Sequence, residues 1–72
     1  MDVPIKKIAA VIRGQRKKTG LSQEKLAEKA EIDRTYVSMI ERGKVNLTLL
    51  VAGKIAKALG VSLSSLIKKT EH

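Results

Sequence analysis

The sequence of 72 residues has no cysteine, tryptophan or phenylalanine, and Tyr36 is its only aromatic residue. Without cysteine, disulfides, thiolate metal ligands and a thiol nucleophile are excluded. A core must therefore consist of leucine, isoleucine, valine and alanine. So short a chain is expected to form a single domain over residues 1–72, near the lower size at which one apolar core is stable.

The sequence also has no apolar run long enough to cross a membrane. The longest, around Leu49 to Gly53, is far shorter than the roughly 20 residues that a membrane-spanning helix needs. The first residues, Met1 to Pro4, are not a basic region followed by an apolar stretch, so no export signal is predicted. Together with the lack of cysteine, this leads us to expect a cytoplasmic protein.

Residues that commonly carry catalysis are scarce. His72, at the end of the chain, is the only histidine, and no glycine-rich phosphate-binding loop occurs. Serines and carboxylates without a base or a metal site do not make a reaction. We therefore predict that the protein is not an enzyme and uses no metal or cofactor.

What the sequence does have is positive charge. Fifteen lysines and arginines against seven acidic residues give a formal net charge of +8. This excess indicates a polyanionic partner. The alternative is a basic surface that serves solubility alone, and the positions of the charges must decide between the two.

The spacing of apolar residues predicts an all-α protein with five helices. Each helix is marked by apolar residues at three- and four-residue steps, and most have a capping residue in front and a glycine behind. The predicted helices run from Ile5 to Thr19, from the cap Ser22 to about Ala30, from the cap Asp33 to Arg42, from the cap Thr48 to Gly60, and from the cap Ser62 over Leu63, Leu66 and Ile67.

The second and third helices predict a helix-turn-helix over about residues 22–42. Each has about two turns, and the short link between them favours a steep crossing. In the third helix, spacing places Val37, Ile40 and Glu41 inward. The opposite face has no acidic residue and suits a reader of the major groove; its residues are Thr35, Ser38, Met39 and Arg42, with Arg34 and Tyr36 at the helix start. The alternative is an ordinary solvated helix.

These residues carry a family resemblance that spans about Ile8 to Ile67. The sequence resembles lambdoid-repressor-like, or XRE-type, helix-turn-helix regulators, in a compact five-helix fold. Within that family it is most similar to controller proteins of restriction–modification systems. The motif residues are Arg16, Gly20-Leu21-Ser22-Gln23-Glu24, Leu26-Ala27, Val37-Ser38, Ile40-Glu41-Arg42-Gly43, and the run from Ile55 to Val61.

The resemblance implies roles for individual residues. Arg16 and Glu41 match a structural ion pair between the first and third helices. Base contacts are assigned to Arg34, Thr35, Ser38 and Tyr36. For Tyr36 the alternative is a hydrogen bond to a phosphate. Backbone contacts are assigned to Gln23, Arg42, Lys44 and Asn46. For Gln23 the alternative is an exposed helix former, and for Lys44 a solvated loop charge.

Two positions depart from the family pattern. Glu31 stands where a glycine is common, so either Glu31 adopts a left-handed conformation or the turn shifts. Leu50 and Val51 stand where polar residues are usual, outside the expected core-facing set of Leu49, Ala52, Ala56 and Leu59. We expect a homodimer contact made by Leu47, Leu50, Val51, Leu63 and Ile67. The alternative is that these side chains complete the core of a monomer.

The predicted function is a sequence-specific transcriptional regulator whose homodimer binds double-stranded DNA at an inverted-repeat operator. Its two recognition helices would enter major grooves about 34 Å apart. A regulator of this kind also has RNA polymerase as a candidate partner. The alternatives are a phage- or plasmid-type repressor and an antitoxin-like or adaptor module that binds protein. RNA binding is disfavoured because one tyrosine makes no stacking platform.

Overall fold

The computed structural model describes residues 5–71, with side chains up to residue 70. Within this range the chain is helical and has no strand, which confirms the predicted all-α class. The helices are α1 (Ile5–Lys18), α2 (Gln23–Ala30), α3 (Arg34–Glu41), α4 (Leu49–Leu59) and α5 (Leu63–Lys68), followed by a 3-10 turn at Lys69–Glu71. The first and third helices end one residue earlier than predicted.

Side-chain caps begin four of the helices, as predicted. The hydroxyl of Ser22 accepts a hydrogen bond from the Lys25 backbone N–H at 3.0 Å. The Asp33 carboxylate accepts one from the Thr35 N–H at 2.9 Å. Thr48 and Ser62 do the same at the starts of α4 and α5. Since a cap of this kind contributes about 1 kcal/mol, the starts of α2 and α3 are set locally.

The turn between α2 and α3 is made by a residue in the left-handed region. Glu31 has φ 57° and ψ 45°, and it is the only non-glycine residue with positive φ in the described part of the chain. Its backbone N–H closes α2 by reaching the carbonyls of Ala27 and Glu28. Of the two alternatives for this turn, the strained Glu31 is therefore the one adopted.

Relief of this strain should stabilise the protein. We expect Glu31→Gly to raise the free energy of unfolding by about 0.5–1 kcal/mol, because the cost of a left-handed side chain exceeds the extra entropy that glycine has in the unfolded chain. Urea unfolding followed by circular dichroism measures the change. Glu31→Ala is the control, because it removes the carboxylate and keeps the strain. An equal gain in both variants would contradict a backbone origin.

The core lies where all five helices meet. Its fully buried side chains come from every helix: Ile12, Leu26, Val37, Ile40, Ile55 and Leu66. Small residues at Ala27, Ala30 and Ala56 allow the helices to approach closely. This core holds α3 against α1 and α2 by its inward face alone, and Val37, Ile40 and Glu41 are buried there as predicted.

The prediction for the start of α4 was wrong in two respects. Leu49 was assigned to the core, yet its side chain is 72% exposed. Its spacing from Ala52 is that of the core-facing side of α4. Leu49 is, however, the first residue of α4, and spacing along one helix does not show whether the neighbouring helices extend far enough to cover its end. Val51 was expected to be exposed, yet it is half-buried and packs against the core, as do Leu47 and Leu63. Leu50 is 73% exposed, as expected.

No helix in residues 5–71 combines the length and the apolar character that crossing a membrane would require.

Candidate nucleic-acid interface

The outer face of α3 is open and polar. Arg34 and Thr35, in its first turn, are exposed, and Ser38 and Met39 are half-buried. The carboxylate of Asp33 is held by the capping hydrogen bond to Thr35, and that of Glu41 points to the interior. The side chains on this face are therefore hydrogen-bond donors, hydroxyls and one thioether.

A shallow recess joins this face to the start of α2. It has a volume of about 170 Å³ and is lined by Gln23, Arg34, Thr35 and Ser38. Gln23 is the first residue of α2, where backbone N–H groups lack a partner within the helix and favour an anion. The recess thus combines a helix N-terminus that suits a phosphate with three side chains that can bind base edges.

Glu41 organises the interior side of the site. Its side chain is 2% exposed and receives two hydrogen bonds from Arg16, Nε to Oε2 at 2.6 Å and Nη2 to Oε1 at 3.0 Å. Arg16 Nη1 also donates to the Leu21 carbonyl at 2.9 Å. One guanidinium thus connects α1 with α3 and with the loop that leads into α2.

The ion pair favours the charged form of Arg16. The hydrogen bond to Glu41 raises the pKa of Arg16 above its ordinary value, burial acts in the opposite direction, and the Glu41 charge adds a smaller increase. A buried, bidentate pair of this kind fixes the position of the C-terminal part of α3.

Gln23 takes part in the same network. Its Nε2 donates to Glu41 Oε1 at 3.2 Å. An amide nitrogen has two hydrogens, so this contact leaves one donor for a ligand in the recess. The side chain that lines the recess is thereby oriented by a residue of α3.

Tyr36 lies apart from the recess. It is half-buried, and its hydroxyl donates to the Asn46 carbonyl at 3.4 Å, a long hydrogen bond. The loop after α3 is therefore tied to the first turn of α3. Arg42, Lys44 and Asn46, the other predicted contact residues, are exposed in or just before this loop.

Sequence reasoning missed one contact to α3. Arg13, in α1, donates from Nη1 to the backbone carbonyl of Glu41 at 3.1 Å. No local signal could have revealed it, because the two residues are 28 positions apart and the target is a backbone atom. A cation at this point also interacts favourably with the C-terminal end of the helix dipole.

A helix whose outer face has no acidic residue lies beside a helix start that suits an anion, and this arrangement on an all-helical core defines the helix-turn-helix class. The Helix-turn-helix family model matches residues 12–66. The chain belongs to this family, and it is a DNA-binding transcriptional regulator.

Individual relatives are controller proteins, which confirms the resemblance found in the sequence. The chain is 46% identical over 57 residues to control protein C.MunI of Mycoplasma sp, covering 79% of this chain and 77% of that protein. It is 49% identical over 53 residues to control protein C.BamHI of Bacillus amyloliquefaciens, covering 74% and 65%.

The similarity extends to structure. The crystal structure of the restriction–modification controller protein C.AhdI from Aeromonas hydrophila superimposes with a TM-score of 0.84 at 39% identity, over 86% of this chain and 94% of that one.

Proposed function

We propose that the protein binds an inverted-repeat operator as a homodimer and controls the genes of a restriction–modification system. The observation that carries this proposal is the recess between Gln23 and the outer face of α3, since it brings a helix start that suits a phosphate next to side chains that suit base edges.

The chemistry of the recess assigns the base contacts. A guanidinium such as that of Arg34 can bind guanine O6 and N7 with two hydrogen bonds. Thr35 offers a methyl group to thymine and a hydroxyl to other edges, and Ser38 offers a hydroxyl. All three line the same recess, so one half-site would be read by side chains from the first half of α3.

Phosphate contacts surround this reader. Gln23 would bind one strand through its free amide hydrogen and the start of α2. Arg42, Lys44 and Asn46 would bind the backbone beside the loop after α3. Tyr36 supports that loop through the Asn46 carbonyl, and we assign to it a contact with the phosphate or the base next to the loop.

The exposed leucines at the start of α4 support the dimer. Leu49 and Leu50 are the two large apolar residues that the described structure leaves mostly in solvent. Leu47, Val51, Leu63 and Ile67 are half-buried, so each keeps some apolar area for a partner. We place the contact across a two-fold axis on a surface that we call the leucine patch, formed by Leu49 and Leu50 at the start of α4 together with these four half-buried residues.

Removal of the leucine patch should produce a monomer. In the double variant Leu49→Gln, Leu50→Gln, four leucines are lost across the two-fold axis, and each contributes about 1.5 kcal/mol or more when buried. We expect the dimer dissociation constant to rise at least about 100-fold, as measured by analytical ultracentrifugation. Leu49→Met, Leu50→Met keeps the apolar area and should remain a dimer. Equal association in both variants would place the interface elsewhere.

Selection of bound sequences from a random duplex pool, followed by footprinting, tests the function itself. We expect an inverted repeat whose half-sites are about one helical turn apart. Recovery of no enriched sequence would refute the proposal of a specific regulator. An enriched site next to a promoter would bring RNA polymerase within reach, and the response of a reporter gene then distinguishes repression from activation.

A further inference from the structure

Two basic side chains of α1 lie beside the C-terminal end of α3. Arg13 donates to the Glu41 carbonyl at 3.1 Å. Lys6 packs against Gly43, since a Cβ added at Gly43 would lie 3.4 Å from Lys6 Cγ. Helix α1 therefore flanks the segment through which the chain leaves the recognition helix.

Two further basic residues belong to the same region. Arg42 and Lys44 stand on either side of Gly43, and all four basic residues are exposed. We call Lys6, Arg13, Arg42 and Lys44 the α1 basic edge. Like charges on neighbouring segments repel one another, and a polyanion bound beside them would offset this repulsion by attracting all four. Arg13 uses one of its five N–H donors on Glu41, so the others remain for an anion.

We infer that the α1 basic edge holds the phosphodiester backbone of the operator, with Lys6 and Arg13 as phosphate contacts supplied by α1. This inference rests on the proposed function, in which α3 lies in the major groove. The major groove is about 12 Å wide and admits one α-helix by its diameter of about 10–12 Å, so the segment through which the chain leaves α3 would lie close to a phosphate backbone.

The two proposed phosphate sites lie at opposite ends of α3. The Gln23 recess lies at its N-terminal end, and the α1 basic edge lies at its C-terminal end. The backbones on the two sides of the groove would thus be held by different elements, α2 and α1. Both contacts together would fix the tilt of α3 in the groove.

The dependence of affinity on salt tests the inference. Lys6→Ala and Arg13→Ala are compared with the full-length wild type on the selected operator and on a random duplex, between about 50 and 200 mM salt. Each variant should reduce the slope of log affinity against log salt by about 0.9, the value for one phosphate contact. The loss should be equal on both duplexes. Lys57→Ala removes the same charge from an exposed position of α4 and should leave the slope unchanged.

Two further variants separate phosphate binding from folding. Arg13→Lys keeps the charge and should retain the slope, whereas a loss equal to that of Arg13→Ala would overturn the role of Arg13. Lys6 makes no side-chain hydrogen bond to the residues that the structure describes, so the melting temperature of Lys6→Ala should match that of the wild type.

The inference would be overturned if the slopes of Lys6→Ala and Arg13→Ala matched that of Lys57→Ala. It would also be overturned if both variants bound DNA normally but changed only the transcriptional response, because the edge would then bind an acidic protein. Failure of the wild type to select any operator would instead refute the proposed function.

Discussion

Arg16→Met is expected to be strongly destabilising, by about 3–5 kcal/mol, because it leaves a carboxylate buried without its cation. Glu41 is 2% exposed, whereas Arg16 is 13% exposed. With Arg16 gone, the Gln23 amide is the side-chain donor left to this carboxylate. Urea unfolding followed by circular dichroism measures the effect.

The reciprocal change should cost less. In Glu41→Leu the arginine that loses its partner is closer to solvent and keeps its hydrogen bond to the Leu21 carbonyl. The double variant Arg16→Met, Glu41→Leu should recover most of the loss, since a buried ion pair replaced by apolar side chains is often neutral for stability. Additive losses in the double variant would show that the two residues act independently.

The double variant also separates stability from recognition. Gln23 loses the Glu41 oxygen that orients its amide, so DNA affinity should fall even where the free energy of unfolding is restored. Fluorescence anisotropy with an operator duplex measures this loss.

Arg34→Ala is expected to relax the preference at one base pair of each half-site, at a cost of about 1–3 kcal/mol. The reason is that the contact proposed for Arg34 has two hydrogen bonds to guanine, and that Arg34 is exposed and lines the recess. Repeated selection with the variant, together with Kd values on single-substitution operators, measures both effects.

Lys44→Ala is the matched control for Arg34→Ala, because it removes the same charge from the loop after α3. It should weaken binding equally on all sequences and reduce the salt slope by about one. Equal losses on cognate and random DNA for Arg34→Ala would show that Arg34 binds only phosphate.

Local features of the sequence were enough to predict the helices and their caps. Ser22, Asp33, Thr48 and Ser62 accept hydrogen bonds from N–H groups two or three residues ahead, so the whole interaction lies within one short segment. The inward face of α3 was also predictable. Val37 and Ile40 follow the helical period, and a helix with a single apolar face turns that face to the core.

The family resemblance supplied what local rules could not. Arg16 and Glu41 are 25 residues apart, and neither spacing nor composition relates them. Their pairing was expected because the motif residues matched a known type of regulator, and the structure contains it. The place of Gln23 at the start of α2 follows from the cap at Ser22, whereas its contact with Glu41 depends on how α2 and α3 cross.

The sequence alone determined the class of this protein: an all-α, strongly basic domain with a helix after a tight turn whose outer face is polar and has no acidic residue. Only the tertiary structure decided that Leu49 is exposed, that Val51 is half-buried, and that Lys6 and Arg13 border the end of α3. The physical reason is the distance along the chain over which each effect acts. Helical period and capping act within a few residues, whereas exposure and contacts between helices depend on where neighbouring helices end and how they cross.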